Sequence, residues 1–278
     1  MKLYRIPNGL LLYHQDCYFL GTDYDWDELV NQDNLLEKIN QQYASWEELN
    51  DGKELLSGEL LPPIGNQEVW ASGVTYYRSR DARMEESKAA GGGDFYDRVY
   101  VADRPELFFK ATAARTVGHG DNVRIRQDST WDVPEPELTL FINSQGNIQG
   151  YTIGNDMSSR SIEGENPLYL PQAKSYRGSC SIGPCLYVTD EPFPADANIH
   201  LTIRRHSEVV FRDTTQVNQI KREFADLVSY LYREMDFPNG CYLMTGTGII
   251  PEGDFTLQSG DEIGITIEPI GTLMNTVE

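Results

Sequence analysis

Apolar and polar residues alternate with a period of two along much of the chain after residue 66. This period is typical of β-strands whose two faces differ. Runs of β-forming residues, several of them with this period, predict strands at Glu68–Ser72, Asn122–Ile125, Glu137–Ile142, Ile148–Ile153, Ile182–Val188, His200–Arg204, Val209–Phe211 and Glu262–Glu268. Helical periodicity in this part predicts helices near Arg80–Ala90 and Gln219–Met235. Because strands and helices do not alternate regularly, the pattern favours a β-rich α+β domain over a doubly wound one.

The first 66 residues have a pattern of their own. Short strands are predicted near Leu3–Ile6 and Leu10–Tyr13, followed by an amphipathic helix near Leu35–Leu49. Pro62 to Asn66, with two prolines and a glycine, then predicts a linker. The sequence therefore predicts a small N-terminal α/β module over residues 1–66 and a second domain over residues 67–278.

Glu135 and Glu137 introduce a segment with the pattern of a β-hairpin. One residue separates the two glutamates, so in a strand both side chains lie on the same face. Ser144 to Asn147 is a turn signal, and β-forming residues follow it from Ile148. Pro136 is typical of an edge strand, because proline has no N–H to donate to a neighbouring strand.

The register of this hairpin brings a third carboxylate to the two glutamates. If Asn143 pairs with Ile148, counting back along both arms places Glu135 opposite Asp156, although a β-bulge would shift this register. Three carboxylates in so small a volume repel one another unless a cation binds between them. Oxygen ligands favour Mg²⁺, with Mn²⁺ and Ca²⁺ as alternatives. The other interpretation is an acidic, solvated hairpin face.

Composition limits the classes of partner. The 278 residues include 43 acidic and 23 basic ones, a formal charge of −20 that argues against binding to nucleic acid or an anionic membrane. The chain shows neither a signal peptide nor a membrane-spanning segment, which predicts a cytoplasmic protein. The cysteines form no disulfide framework and are predicted to be reduced thiols; they are Cys17, Cys180, Cys185 and Cys241.

Two basic residues follow Asp156 closely. Arg160 and Lys174 can bind a substrate carboxylate beside an acidic metal site, and the lysine can transfer protons. The alternatives are a structural ion pair for Arg160 and a surface position for Lys174. Thr245 to Gly248 is either a simple turn or a place where the backbone approaches a ligand closely.

Four motifs together resemble the fumarylacetoacetate hydrolase family. They are Glu135-x-Glu137, Gly150 to Arg160, Lys174 with Ile182-Gly183-Pro184, and Thr245 to Gly248. The resemblance implies a mixed β-roll catalytic domain, a Mg²⁺ held by Glu135, Glu137 and Asp156, and a 2-oxo acid bound to the metal. It also implies that Lys174 is an active-site lysine and assigns Ser79, Arg80, Arg160 and Thr247 to the substrate.

One departure from the family pattern bears on the reaction. Hydrolytic members carry a histidine upstream that activates water, whereas residues 72–83 contain none. The segments Gly73 to Arg80, Pro105 to Lys110 and Asn166 to Lys174 are similar to the branch that dehydrates 2-dehydro-3-deoxy-D-arabinonate. In that branch, residues at the positions of Glu106 and Lys174 transfer the protons.

These resemblances predict a Mg²⁺-dependent dehydratase that converts a 2-dehydro-3-deoxy aldonate into a semialdehyde such as 2,5-dioxopentanoate, through an enolate stabilised by the metal. Two alternatives stay open at this point. One is a metal-dependent C–C hydrolase of an acylpyruvate or a 2,4-diketo-3-deoxy sugar acid, and the other is a non-catalytic protein that binds 2-oxo acids. Members of the family commonly form oligomers, so the resemblance also predicts a homo-oligomer, either a dimer or a tetramer.

Overall fold

The structure is a computed structural model that describes residues 1–76, 99–251 and 253–278. Ser79, Arg80 and the helix predicted near Arg80–Ala90 lie outside these ranges. The described helices are α1 (Trp26–Val30), α2 (Leu35–Gln42), α3 (Gly52–Leu55), α4 (Arg160–Glu165), α5 (Leu170–Lys174) and α6 (Phe224–Leu231). The strands are β1 (Lys2–Ile6), β2 (Gly9–His14), β3 (Cys17–Gly21), β4 (Glu47–Leu49), β5 (Glu68–Gly73), β6 (Glu106–Thr112), β7 (Thr116–Val117), β8 (Asn122–Val123), β9 (Asp132–Val133), β10 (Pro136–Ile142), β11 (Ile148–Asp156), β12 (Ser158–Ser159), β13 (Cys180–Tyr187), β14 (Asn198–Arg205), β15 (Glu208–Gln216), β16 (Cys241–Met244), β17 (Glu262–Ile267) and β18 (Gly271–Val277).

A large mixed sheet contains the predicted hairpin at its centre. Its strand order is β4-β3-β2-β1-β13-β11-β10-β16-β5-β6, and β7 pairs with β13 beside this path. Most pairs are antiparallel, but β16 with β5 and β13 with β7 are parallel. The expectation of an edge strand at Pro136 is wrong, because β10 lies between β11 and β16; the proline is tolerated as the first residue of its strand.

A second sheet has the order β15-β14-β17-β18-β8. Its buried face carries Ile199, Leu201 and Ile203 from β14 with Ile263 and Ile265 from β17. These side chains form one apolar cluster with Leu138, Leu140 and Ile153 of the hairpin β10–β11. The β-rich α+β fold predicted from the pattern is therefore confirmed.

The N-terminal residues join the large sheet through an antiparallel pair between β1 and β13, in which Leu3 pairs with Leu186. A second apolar cluster includes Leu3 and Leu12 from this part and Phe141 and Tyr242 from the centre of the sheet. The boundary of the module at residue 66 stays a prediction.

Several element boundaries differ from those predicted. The helix expected near Leu35–Leu49 ends at Gln42, and Glu47–Leu49 forms β4 against β3. The helix expected near Gln219–Met235 is confined to Phe224–Leu231. The pattern also missed β3, β6, β16 and β18; of these, β16 is buried along its whole length, and such a strand need not alternate. No helix in the described part of the chain is long and apolar enough to span a membrane.

Candidate active site

The hairpin β10–β11 brings its carboxylates together as predicted. Pro136 pairs with Asn155, so Glu135 faces Asp156 at the open end, and the Asp156 N–H donates to the Glu135 carbonyl over 3.0 Å. Glu135, Glu137 and Asp156 each offer one carboxylate oxygen, and these three oxygens lie within 4.8 Å of one another. This separation is what a single bound cation requires of its ligands.

The pairing predicted next to the turn is wrong by one residue. Ile142, rather than Asn143, pairs with Ile148. A register shift follows at once, because Phe141 pairs with Gly150 and Gln149 is left as the extra residue of a bulge. The bulge restores the predicted register for the rest of the hairpin, and Glu135 therefore still faces Asp156.

All three carboxylates are buried. Glu135 is 4% exposed, while Glu137 and Asp156 are each 1% exposed. The interpretation of the hairpin as a solvated acidic face is therefore wrong. Buried carboxylates need cations or hydrogen bonds to remain ionised, and the surroundings of this cluster supply both.

Lys174 and Arg160 both contact Glu135. Lys174 Nζ lies 2.7 Å from Glu135 Oε2 and 3.2 Å from Asp156 Oδ2, and Arg160 Nη2 lies 2.9 Å from Glu135 Oε1. Both basic side chains are almost completely buried. The surface alternative for Lys174 is therefore wrong, and Arg160 forms an ion pair inside the site itself.

Short helices place these two residues. Arg160 is the first residue of α4, whose N-cap Ser159 accepts a hydrogen bond from the Ile162 N–H. Lys174 is the last residue of α5, and Ser175 donates through its hydroxyl to the Phe109 carbonyl over 2.9 Å. Thus α4 begins and α5 ends at a residue whose side chain points into the acidic cluster.

The surroundings of Glu137 change the acidity of its carboxyl group. Burial raises the pKa of its carboxyl well above the ordinary value, and repulsion from Asp156 and Glu135 raises it further. The Lys174 ammonium and the Gly246 N–H, which donates to Glu137 Oε2 over 2.5 Å, act in the opposite direction. A divalent cation between the three carboxylates would favour the ionised form.

The loop after β16 forms one wall of the site. Gly246 has a φ of +94°, and a β-carbon built on it would lie 2.0 Å from Thr75 Oγ1. The Thr75 hydroxyl donates to the Thr245 carbonyl over 2.6 Å, which ties this loop to the end of β5. The glycine is thus required both by its backbone conformation and by the close approach of Thr75. Thr245 to Gly248 is therefore a loop whose backbone approaches the cluster at Gly246.

A small cavity opens above the carboxylates. Among the described residues that line it there is no histidine; they are Ser72, Gly73, Val74, Phe108, Glu135, Glu137, Asp156, Arg160, Lys174, Gly246 and Thr247. Thr247 was predicted to bind substrate, and its hydroxyl exchanges hydrogen bonds with the main chain of Ile249. The cavity combines an anionic floor with basic side chains, which suits a small anionic ligand bound next to a metal.

Glu106 lies at the margin of this cavity. Its carboxylate rests against Gly73, where a β-carbon would come within 2.1 Å of Glu106 Oε2. The same residue borders an adjoining apolar groove that Pro105 and Leu107 also line. The structure thus places the predicted proton-transfer residue beside the wall of the cavity.

The sequence interpretation missed two residues of the site. Lys110 on β6 is completely buried and forms an ion pair with Asp156 Oδ1. Glu163 accepts a hydrogen bond from Ser158 over 3.1 Å and lies 3.6 Å from Arg160 Nη1. The signal available for Lys110 was a lysine in an otherwise apolar segment, Leu107-Phe108-Phe109, where a buried lysine requires a partner.

The residues present fit a hard divalent cation. The cluster offers only oxygen ligands, it is buried, and its ligand atoms converge within 4.8 Å. Three carboxylates also leave positions for oxygen atoms of a substrate. Glu135, Glu137 and Asp156 are therefore the residues that could hold a metal ion.

Comparison with known proteins agrees with this site. A family model described as fumarylacetoacetate (FAA) hydrolase C-terminal matches residues 74–278. The chain therefore belongs to the fumarylacetoacetate hydrolase family, and the resemblance inferred from its motifs is confirmed.

Two relatives and one solved structure to which the chain is similar are named as dehydratases. The chain is 52% identical to a probable 2-keto-3-deoxyxylonate dehydratase of Haloferax volcanii over 77% of this chain and 73% of the relative. It is 44% identical to the 2-dehydro-3-deoxy-D-arabinonate dehydratase of Saccharolobus solfataricus, over 79% of this chain and 74% of the relative. A solved structure of 2-keto-3-deoxy-D-arabinonate dehydratase, complexed with magnesium and 2,5-dioxopentanoate, has a TM-score of 0.86 and 35% identity, with 100% of this chain and 99% of that chain covered.

Proposed function

We propose that this protein is a Mg²⁺-dependent dehydratase of a 2-dehydro-3-deoxy aldonate, such as 2-dehydro-3-deoxy-arabinonate, with 2,5-dioxopentanoate as the product. The observation that carries the proposal is the buried cluster of Glu135, Glu137 and Asp156 with Lys174 in direct contact. Relatives named as dehydratases of such acids, at 52% and 44% identity, support the same reaction.

Glu135, Glu137 and Asp156 would hold the cation. When bound there, Mg²⁺ supplies Lewis-acid chemistry that polarises a 2-keto group and stabilises negative charge on its oxygen. Mn²⁺ and Ca²⁺ have the same preference for oxygen ligands and remain alternatives.

Lys174 and Glu106 share the proton transfers in this proposal. One of them takes the C3 proton, the C3–H electron pair forms the C3–C4 double bond, and the C4 hydroxyl leaves as water with a proton from the other. A proton then leaves C5 and another is added to C3, which moves the double bond to C4–C5, and the resulting enol becomes the C5 aldehyde. Two observations support this assignment: Lys174 lines the cavity, and the Glu106 carboxylate lies against Gly73, which also lines it. Positioned acids and bases contribute about 10²- to 10⁴-fold to such steps.

The remaining assignments concern substrate binding. We assign the substrate carboxylate to Arg160 and Thr247, which line the cavity next to the metal ligands. Ser79 and Arg80 are proposed to contribute further contacts, on the basis of the family motif.

We also propose that the protein is a homo-oligomer, a dimer or a tetramer, and that it acts in the cytoplasm.

The test is an assay of the purified protein with Mg²⁺ and both C4 epimers of 2-dehydro-3-deoxy-arabinonate, with the products identified by mass. Loss of one water is the expected result. Lys174→Ala should lower the rate by at least about 100-fold, whereas the exposed Lys38→Ala in α2 should leave it unchanged. An unchanged mass with these acids, together with release of pyruvate from an acylpyruvate, would replace the proposal by the C–C hydrolase.

A further inference from the structure

Lys110 occupies an unusual position for a lysine. It lies on β6 after two phenylalanines, is 0% exposed, and is one of the largest fully buried side chains in the described residues. It does not line the cavity above the carboxylates. A lysine is almost never fully buried without partners, so its contacts indicate why it is there.

Each contact of the Lys110 ammonium leads to the active site. It forms an ion pair with Asp156 Oδ1, and it donates to the Met157 carbonyl over 3.0 Å and to the Lys174 carbonyl over 2.5 Å. These three acceptors match the three hydrogen-bond donors of an ammonium group.

The three acceptors belong to two separate parts of the chain. Asp156 and Met157 lie at the end of β11, while Lys174 ends α5, where the last helical carbonyls have no partner within the helix. Lys110 therefore connects a metal ligand to the backbone of the lysine that reaches the same cluster. Lys174 Nζ in turn contacts Asp156 Oδ2 at 3.2 Å, which closes a ring of contacts through these residues.

We propose that Lys110 is a positioning residue that fixes Asp156 and Lys174 relative to each other. Its bond to Asp156 Oδ1 turns Oδ2 towards the cluster, and its bond to the Lys174 carbonyl sets the distance of that side chain from the metal ligands. The effect on metal binding rests on the metal site of the proposed function but not on the dehydration, whereas the effect on turnover rests on both.

A purely electrostatic role would make the opposite prediction for metal affinity. If Lys110 served only to neutralise acidic charge, its removal would leave the carboxylates more negative, and Mg²⁺ would bind more tightly. If it positions Asp156, its removal lets the carboxylate rotate away, and Mg²⁺ binds more weakly. Loss of a group that orients a metal ligand typically lowers metal affinity by about 10- to 100-fold. The sign of the change therefore separates the two roles.

The experiment is a titration of Lys110→Met with Mg²⁺ by calorimetry, beside the wild-type protein. Methionine keeps the approximate shape of the side chain and removes all three donors. The expected result is a Kd for Mg²⁺ raised by about 10- to 100-fold. An unchanged or lowered Kd would overturn the proposal whether or not the protein proves to be a dehydratase.

Arg205→Met is the matched control for a merely structural effect. Arg205 binds the buried Asp261 through two nitrogens, at 2.7 and 2.8 Å, and donates to the Thr256 carbonyl over 3.0 Å. It resembles Lys110 in clamping an aspartate and a carbonyl, but none of its partners lines the cavity. This variant should lower the melting temperature and leave the Kd for Mg²⁺ unchanged.

Lys110→Arg covers the case in which Lys110→Met does not fold. Arginine keeps the positive charge but not the geometry of an ammonium in this buried space. The proposal expects a raised Kd for Mg²⁺ here too, whereas a purely electrostatic role expects the wild-type value. Whichever of the two Lys110 variants folds should also show, at saturating Mg²⁺, a lowered kcat with little change in KM. The reason is that Lys174 is displaced while the substrate contacts remain.

Discussion

The two hairpins β10–β11 and β14–β15 have the same connectivity and each contains a register shift, but they differ in burial. Every residue of β10 is buried. In β14, Ile199, Leu201 and Ile203 are buried between more exposed neighbours, and most of β15 is exposed or half-buried. One hairpin lies in the middle of the large sheet, whereas the other forms an edge of the smaller sheet.

The difference shows what a period of two means. In β14 the alternation separates a core face from a solvent face, which is the usual case for antiparallel sheets. In β10 the same alternation separates an apolar core face from a polar face that is buried as well, with Glu137 and Thr139 on it. Because burial of polar groups costs free energy, a buried polar face in a central strand indicates a binding site.

The largest expected effect comes from removing one charge from the hairpin β10–β11. Glu137→Gln keeps the size of the side chain but weakens one of the proposed metal ligands, so we expect Mg²⁺ affinity and turnover to fall by roughly 100-fold or more each. Calorimetry and the dehydratase assay measure the two changes. Glu208→Gln makes the same chemical change at an exposed position of β15 and should alter neither. Equal effects at both sites would mean that the inner carboxylates are not metal ligands.

A smaller effect is expected from a methyl group at the loop that supports Glu137. Gly246→Ala places a β-carbon 2.0 Å from Thr75 Oγ1 at a φ of +94° and should lower the free energy of unfolding by about 2–4 kcal/mol. Gly260 precedes β17 of the smaller sheet and has a φ of +88°, and a β-carbon added by Gly260→Ala would have no atom within 4 Å. It should cost only about 1 kcal/mol. Denaturant titration gives both values, and similar losses would show that the contact with Thr75 yields at little cost.

The smallest effect concerns pH. In the folded protein the pKa of Glu137 is raised above its ordinary value of 4.5, chiefly by burial. Above pH 4.5 the folded state therefore holds a proton that the unfolded chain releases. The free energy of unfolding in EDTA should thus fall as the pH rises from 4.5 to the raised pKa, by at most about 1.4 kcal/mol per unit.

Glu137→Gln tests the origin of this slope. The amide does not titrate, so the dependence of the free energy of unfolding on pH that is assigned to Glu137 should disappear in that variant. Glu208→Gln, in the hairpin β14–β15, should keep it. A slope that survives in Glu137→Gln would have to be assigned to other groups of the cluster.

Local pattern predicted the carboxylate end of the central hairpin correctly, but not the pairing next to its turn. The alternation of residues 135–142 and the turn signal after Asn143 gave a register in which Glu135 faces Asp156, as the structure has it. The bulge at Gln149 was not predictable, because a bulge depends on how a strand fits its neighbours on both sides. The pattern also missed β16, the strand that makes β10 central, since its four residues are all buried and do not alternate.

The sequence by itself determined the fold class, the family and the carboxylates of the site, because hydrophobic period, turn residues and motif spacing act over short stretches of chain. Only the tertiary structure decided that the acidic face is buried and that Lys110, Arg160 and Lys174 neutralise it. Lys110 bonds to residues 47 and 64 positions away, and such contacts follow from how the strands and helices pack together. A buried charge has no local signature: its partners come from distant elements, and the free energy of burying it depends on all of them at once.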